Sequence, residues 1–260
     1  MTASSLGQSS RRLAPSGGPF PANHPWDRNF FLLYVGLAWL GILMGFIPDI
    51  AHHVSSHARP FPLIVHFHAA VFMGWLALFS VQVLLIRTKR WQIHRKLGFA
   101  MLGVAAVMMV LGPATALIAD HGEIGTPDAD PAFLSIQFTD IIAFVGLLSA
   151  AVIFRNTAPV HKRLVLMSTI YITDAGFARW LGGPIGGLLG HSRVSMWASA
   201  YACTATLILG VGLYDLITRK RLHPAYLVGL AWVAAMQFTS ISLYFTPAWG
   251  KLAASWIAAA

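Results

Sequence analysis

Several ionisable side chains lie inside long apolar stretches of the sequence, among them His66, His68, Asp140, Asp174 and Arg179. A charged group inside a bilayer is costly and commonly marks a binding site, a proton relay or an ion path. At a rise of about 1.5 Å per residue, the two histidines and two aspartates lie roughly 7–11 Å below the outer membrane surface. Arg179 lies nearer that surface. This coincidence of depths predicts one functional layer in the outer leaflet.

The spacing of these residues along each predicted helix shows which of them lie on the same face of that helix. A spacing of three and four residues places one stripe on the second apolar stretch: His68, Phe72, Trp75, Phe79 and Gln82. His66 lies roughly 160° around the same helix from His68, so a regular helix cannot direct both imidazoles to one ion. Gln237, in the last stretch, falls slightly deeper in the same layer, as does Thr204. We expect the residues that line a cofactor to be His68, Trp75, Gln82 and Gln237.

Asp140, Asp174 and Arg179 are the candidate reactive or substrate-binding groups of this layer. On a regular helix Asp174 lies roughly 140° from Arg179, so these two are not expected to pair with each other. Asp140 is therefore the expected partner of Arg179. Two interpretations stay open: a structural ion pair that holds helices together, and a functional site.

A histidine-rich segment precedes the second apolar stretch. His53 and His57 are four residues apart, a spacing that suits a metal ion if the segment is helical. With His68 they are candidates for a three-histidine site, and His66 is a further candidate ligand. Imidazole binds zinc, copper, iron or haem iron, so the expected cofactor is haem b or a transition metal. The alternative is a set of solvated loop histidines.

The stretches that carry these residues predict an all-α integral membrane protein. Hydrophobic residues make up 57% of the 260 residues and charged residues 10%, whereas soluble domains carry roughly 25% charged residues. A membrane-spanning helix needs about 20 apolar residues. Seven stretches qualify, over residues 30–48, 61–86, 97–119, 133–154, 164–181, 195–217 and 225–245. We expect a disordered cytoplasmic tail over 1–28, followed by one domain of seven transmembrane helices over 29–260.

The fifth stretch is the least regular. Glycines and Pro184 interrupt the sequence from Gly182 onward, and such residues break helices. The segment after Gly182 is expected to span the membrane, to re-enter it or to lie along its surface.

Basic residues are concentrated in alternate loops. Most of the 18 lysines and arginines fall in the N-terminal segment and in the loops after the second, fourth and sixth stretches. The positive-inside rule therefore predicts a cytoplasmic N-terminus and an external C-terminus. The net charge of +9 does not indicate nucleic-acid binding, because the basic residues lie between apolar stretches rather than on one face. The expected partner is the lipid bilayer, with anionic headgroups at the cytoplasmic rim. A single cysteine, Cys203, excludes a disulfide framework and a cysteine-rich cluster.

The same loops carry a weak repeat, with His94-Arg95-Lys96-Leu97 after the second stretch and His161-Lys162-Arg163-Leu164 after the fourth. The pattern His66-x-His68, Trp75, Gln82 and His94-Arg95-x-Leu97-Gly98 resembles a group of uncharacterised bacterial multi-pass membrane proteins. The second loop motif fits that group as well. The resemblance covers the predicted spans two to seven and implies a location in the bacterial inner membrane, but it brings no established activity. The pattern is also similar to four-helix domains suspected of haem or metal chemistry.

Three functions follow from these patterns. The first hypothesis is a haem- or metal-binding redox protein with its site in the outer leaflet. The second is a transporter of a small anion or of protons that uses Asp140, Asp174 and Arg179. The third is an accessory or assembly subunit of a membrane complex, in which the polar residues only hold helices together. Whether the protein is an enzyme stays open at this point.

Overall fold

A computed structural model of the protein describes residues 20–57, 59–127 and 129–260, and this part of the chain is helical without any β-strand. The ten α-helices of these residues are α1 (Asp27–Ser55), α2 (Leu63–Arg87), α3 (Trp91–Gly122), α4 (Leu134–Ile153), α5 (Ala158–Tyr171), α6 (Asp174–Phe177), α7 (Gly183–Leu189), α8 (Arg193–Arg219), α9 (Pro224–Tyr244) and α10 (Pro247–Ala258). A 3₁₀ turn at Pro131–Phe133 precedes α4, and a π-helical turn at Ala178–Gly182 joins α6 to α7. The predicted all-α class is confirmed.

Six helical segments are long and apolar enough to cross a membrane: Asp27–Ser55, Leu63–Arg87, Trp91–Gly122, Pro131–Ile153, Arg193–Arg219 and Pro224–Tyr244. Large apolar side chains cover their outer faces; Phe238, for example, is 76% exposed. Such a surface suits lipid rather than water. The protein is therefore a multi-pass membrane protein.

The fifth predicted stretch is not one continuous helix. The α-helix ends at Tyr171, and α6 begins at Asp174 after a break at Ile172 and Thr173. The Thr173 hydroxyl donates a 2.6 Å hydrogen bond to the carbonyl of Ile170, and the Asp174 carboxylate accepts a 2.7 Å bond from the amide of Ala175. Polar side chains that bond to nearby backbone in this way compete with regular helix. The break thus lies before the glycines, not at them as the sequence predicts.

One end of the bundle carries the basic loops and is called the basic end below. Asp27, at the start of α1, forms ion pairs with Lys162 of α5 (2.8 Å) and Arg219 of α8 (2.9 Å). The guanidinium of Arg87, at the end of α2, donates to the carbonyl of Arg28 over 2.9 Å. The N-terminal segment and the basic loops therefore meet at the same end.

The residues before α1 contact this basic end. The Phe20 ring lies 4.6 Å from the guanidinium carbon of Arg163, and Lys162 donates to the carbonyl of Ala22 over 2.6 Å. Residues 1–19 of the predicted tail lie outside the described residues. The remainder, 20–28, packs on the bundle, and α1 already begins at Asp27.

Helices α4 and α5 lie at the centre of the bundle. Every residue of α5 from Leu166 to Tyr171 is buried, and α4 packs against α3, α5 and α9. Helix α1 approaches α6 so closely that a Cβ added to Gly45 would lie within hard contact of the Gly176 carbonyl oxygen. Gly41 and Gly45 therefore act as a packing motif, as small residues four apart do in membranes.

Helix α10 closes the opposite end of the bundle and was not anticipated from the sequence. Its Ala253 and Ile257 pack against Ala116 of α3 and Leu134 of α4. The indole nitrogen of Trp249 donates to the carbonyl of Ala132 over 3.1 Å, which ties α10 to the turn before α4.

Candidate functional site

Two carboxyl groups meet in the interior of the bundle. The side chains of Asp140 on α4 and Asp174 at the start of α6 are 8% and 3% exposed, and they hydrogen-bond to each other. Asp140 lies six residues, or about 9 Å, from the start of α4 at the end opposite the basic loops. These two residues are called the carboxyl pair below. Ionising both carboxyl groups would place two like charges side by side in an apolar interior, which is costly.

Two buried tyrosines surround the pair. The Tyr201 hydroxyl lies 3.2 Å from Oδ1 of Asp140 and 2.9 Å from Oγ of Ser240. The Tyr201 hydroxyl has one proton to donate. When it donates that proton to Asp140, the Ser240 hydroxyl is the donor in the second hydrogen bond and the Tyr201 oxygen is its acceptor. The Tyr171 ring stacks on that of Tyr201 at 6.0 Å, and its hydroxyl interacts with Asp140 without a hydrogen bond of standard geometry. The site thus brings carboxyl and hydroxyl groups from five helices together: α4, α5, α6, α8 and α9.

The helix break positions the second carboxyl group. Asp174 follows the interruption at Ile172 and Thr173, and the π-helical turn at Ala178–Gly182 follows α6. Interruptions of this kind inside membrane helices free backbone groups and occur at binding sites. The side chain of Asp174 therefore lies on the least regular backbone of the bundle core.

The expected partner of Arg179 is corrected by the structure. Arg179 pairs with Asp49 of α1 at 3.4 Å, and both side chains are about half exposed. Its guanidinium carbon also lies 4.5 Å from the centre of the Phe46 ring. The expectation assumed a regular helix, whereas the break and the π turn rotate Arg179 toward α1. Asp140 has Asp174 as its partner instead.

The candidate metal-binding histidines do not converge. His53 bonds through Nε2 to the carbonyl of Arg59 over 2.8 Å, and its ring stacks on Phe61 at 3.8 Å. His66 and His57 are exposed. Among residues 20–57, 59–127 and 129–260, no group of three or more His, Cys, Asp or Glu side chains lies close enough to hold a metal ion. The predicted three-histidine arrangement is therefore not assembled in this part of the chain.

His68 lies apart from the other candidate ligands. Its ring stacks on Phe72 at 4.0 Å, its Nδ1 is buried without a hydrogen-bond partner, and it interacts electrostatically with Arg179. The predicted stripe of α2 is thus real as packing, because Trp75, Phe79 and Gln82 are buried.

The remaining predicted cofactor residues make separate contacts. Trp75 packs edge-on against Phe144 at 5.1 Å. Gln82 donates to the carbonyl of His94 over 3.1 Å. Gln237 accepts a 3.0 Å hydrogen bond from the indole nitrogen of Trp197. These three side chains contact residues of α4, α3 and α8 respectively, and a cofactor lined by all of them stays a prediction.

A second buried polar cluster lies at the basic end and was missed in the sequence. Arg163 binds Asp215 with two hydrogen bonds of 2.6 and 2.5 Å, and both side chains are at most 3% exposed. Arg219 contacts the same carboxylate at 3.4 Å. Arg163 and Asp215 are 52 residues apart in the sequence, Arg163 just before the fifth apolar stretch and Asp215 near the end of the sixth, and no spacing within one segment indicates a contact between them.

Tyr201 was also missed, because tyrosine counts as hydrophobic in a hydropathy profile. Its position on the same face of α8 as Thr204 was the only signal in the sequence.

Comparisons of this chain with protein-family models, with curated proteins and with solved structures found no match.

Proposed function

We propose that this protein is a proton-coupled membrane transporter in which the carboxyl pair of Asp140 and Asp174 binds and releases the proton. The single observation that carries the proposal is the contact between these two buried carboxyl groups on adjacent membrane helices. Ionisable groups at this depth are costly, and pairs of them are used to bind protons in pumps and transporters.

The surroundings of the pair support proton exchange. When the shared proton leaves, the second negative charge needs a hydrogen-bond donor, and the Tyr201 hydroxyl lies 3.2 Å from Asp140. Ser240 lies on the far side of that hydroxyl and supplies a donor in turn. The break before Asp174 supplies a segment whose backbone bonds can rearrange at low cost as the charge changes.

A seventh crossing is part of the proposal. Lys162 of α5 contacts Asp27 at the start of α1, and Arg179 contacts Asp49, which lies 22 residues or about 33 Å further along α1. A segment that reaches both ends of α1 runs the full depth of the bilayer. We therefore infer seven crossings, with the basic end and the N-terminus in the cytoplasm and the C-terminus outside.

The location and lipid partners follow from the same orientation. The exposed Lys89, Arg90, Arg95 and Lys96 at the basic end suit anionic lipid headgroups. A bacterial inner membrane, and membership of the bacterial membrane-protein group that the sequence resembles, are proposals that rest on the loop motifs.

The haem- or metal-binding redox function has less support at the outer layer. Its candidate ligands His53, His57, His66 and His68 make separate contacts, whereas the carboxyl groups of the same layer meet. A role as an accessory subunit rests on no particular contact of the described residues.

The proposal is tested by infrared spectroscopy of the purified protein in lipid nanodiscs. We expect a protonated carboxyl band at neutral pH, where exposed carboxyl groups are ionised. The band should disappear in the double variant Asp140→Asn/Asp174→Asn and shift in each single variant, and it should also shift in Tyr201→Phe, which removes the donor but keeps the ring. Asp49→Asn, which removes an exposed carboxylate paired with Arg179, is the matched control and should leave the band unchanged.

Transport is measured in proteoliposomes that hold a pH-sensitive dye. An imposed membrane potential should drive proton entry through the wild-type protein and the Asp49→Asn control, but not through the two carboxyl-pair variants. A wild-type spectrum without a protonated carboxyl band, or equal proton entry in all variants, would refute the proposed function.

A further inference from the structure

Two histidines meet near the basic end, far from the carboxyl pair. His94 lies in the first turn of α3 and His161 lies in the first turn of α5, and their ring centroids are 6.3 Å apart with planes at 85°. They are the leading residues of the two loop motifs His94-Arg95-Lys96-Leu97 and His161-Lys162-Arg163-Leu164. The two copies of the repeat in the sequence therefore bring two imidazoles together in the fold, with their planes nearly perpendicular.

The ring of His161 is already oriented. Its Nδ1 lies 2.9 Å from the carbonyl oxygen of Ala151. A carbonyl only accepts, so Nδ1 carries the proton and Nε2 keeps a free lone pair. Metal-binding histidines usually donate their second ring nitrogen to a backbone carbonyl or a carboxylate, which fixes both the tautomer and the ring direction. His161 therefore has the hydrogen bonding of a ligand.

The surroundings of His94 contain polar atoms that lack partners. Nδ1 of His94 is buried and makes no hydrogen bond. Gln82 is 7% exposed, and its amide nitrogen donates to the His94 carbonyl over 3.1 Å, whereas its Oε1 is buried and unpaired. Buried polar atoms are nearly always satisfied, and each unsatisfied one costs about 1–3 kcal/mol. The unpaired Nδ1 of His94 is therefore a ring nitrogen that a bound ion would satisfy, close to the ring of His161.

We propose that His94 and His161 bind one monovalent copper ion between them. Imidazole nitrogens lie about 2.0–2.1 Å from such a metal, which places each ring centroid about 3 Å from it. Two imidazoles on opposite sides of one ion then have centroids about 6 Å apart, in agreement with the observed 6.3 Å. Monovalent copper accepts this linear arrangement of two ligands, whereas zinc requires four ligands.

The charge near the two rings favours a monovalent ion over a divalent one. Arg95 interacts electrostatically with His94, whereas Lys162 and Arg163 are paired with Asp27 and Asp215. Repulsion by Arg95 grows in proportion to the charge of the bound ion, so it is half as large for a monovalent ion as for a divalent one.

The test is an anaerobic titration of the purified full-length protein with copper(I) against a coloured competing chelator, together with elemental analysis. We expect one copper per chain in the wild-type protein. His94→Phe and His161→Phe should each lose this stoichiometric copper, because one imidazole alone does not hold the ion. The matched control is His66→Phe, which removes an exposed histidine of α2 and should bind one copper per chain.

X-ray absorption at the copper edge keeps the proposal testable even if both histidine variants misfold. Two nitrogen neighbours in the wild-type protein would support it. Three or four neighbours, a sulfur neighbour, or no bound copper at all would overturn it. An absorption spectrum typical of haem that disappears in both variants would also overturn it, because it would assign the two imidazoles to haem iron.

Discussion

Loss of the Asp215 carboxylate should destabilise the protein more than loss of either arginine that it binds. Arg163 and Asp215 are 3% and 2% exposed, and Arg219 contacts the same carboxylate at 3.4 Å. In Asp215→Leu, Arg163 keeps its buried positive charge without its carboxylate partner. Breaking a buried pair in this way costs about 3–5 kcal/mol.

The effect of removing Arg163 is smaller because Asp215 keeps a second partner. In Arg163→Met the carboxylate still contacts Arg219, so the cost is that of the lost charge-assisted hydrogen bonds, about 1.5–3 kcal/mol. The double variant Arg163→Met/Asp215→Leu leaves Arg219 with Asp27, at 2.9 and 3.0 Å from its two oxygens. It should be more stable than Asp215→Leu alone, since no unpaired charge is left.

Thermal unfolding followed by fluorescence-detected size exclusion in detergent measures these differences. At about 2–4 °C per kcal/mol, Asp215→Leu should lower the midpoint by roughly 6–20 °C. Equal midpoints for Asp215→Leu and Arg163→Met, or a double variant less stable than Asp215→Leu, would show that the network is not the buried ionic unit described above.

Two further predictions concern packing and pH. Gly45→Ala should destabilise the protein by about 1–3 kcal/mol, because the added Cβ has no space beside the Gly176 carbonyl and α1 must move away from α6. The control in the same thermal assay is Gly74→Ala, because a Cβ at Gly74 meets nothing within 4 Å. Equal unfolding midpoints for the two variants would contradict the close contact between α1 and α6. Burial and the nearby Arg163 lower the pKa of His223 below its usual value. The folded state therefore binds this proton less readily than the unfolded state, and stability should fall as the pH drops below the unfolded value of about 6.5. Protonation also removes the Nδ1 acceptor that caps the amide of Ala225 at 3.0 Å, so His223→Asn, which keeps an acceptor but does not titrate, should show a smaller loss of midpoint between about pH 7 and pH 5. An identical pH profile for the two proteins would rule out His223 as the source.

The elements of the fold were largely readable from hydropathy. Apolar stretches of the length of a bilayer predicted the six long helices, because in lipid the backbone must satisfy its hydrogen bonds within each segment. The same profile failed for the fifth stretch, where the polar bonds of Thr173 and Asp174 interrupt a helix that remains apolar overall. It also failed for α10, which is too short to register as a span.

That Asp140 and Asp174 lie at the same level of the bundle was predictable, but their partners were not. Counting residues from the ends of the spans placed Asp140 and Asp174 in one layer. The pairing of Arg179 required its direction around the helix, which the π turn at Ala178–Gly182 changes. Asp49, its observed partner, lies beyond the predicted first span and was not among the candidates.

The sequence by itself therefore determined a helical membrane protein, the layer in which its aspartates lie and the end at which its basic residues gather, because hydropathy and helical rise are local properties. The tertiary structure alone decided that Asp140 contacts Asp174, that Arg163 contacts Asp215 and that His94 lies close to His161. These contacts join different helices, and their geometry depends on how each helix is rotated and interrupted. Packing of side chains across the bundle sets the rotation of each helix, and the hydrophobic periodicity of a single segment does not predict that rotation.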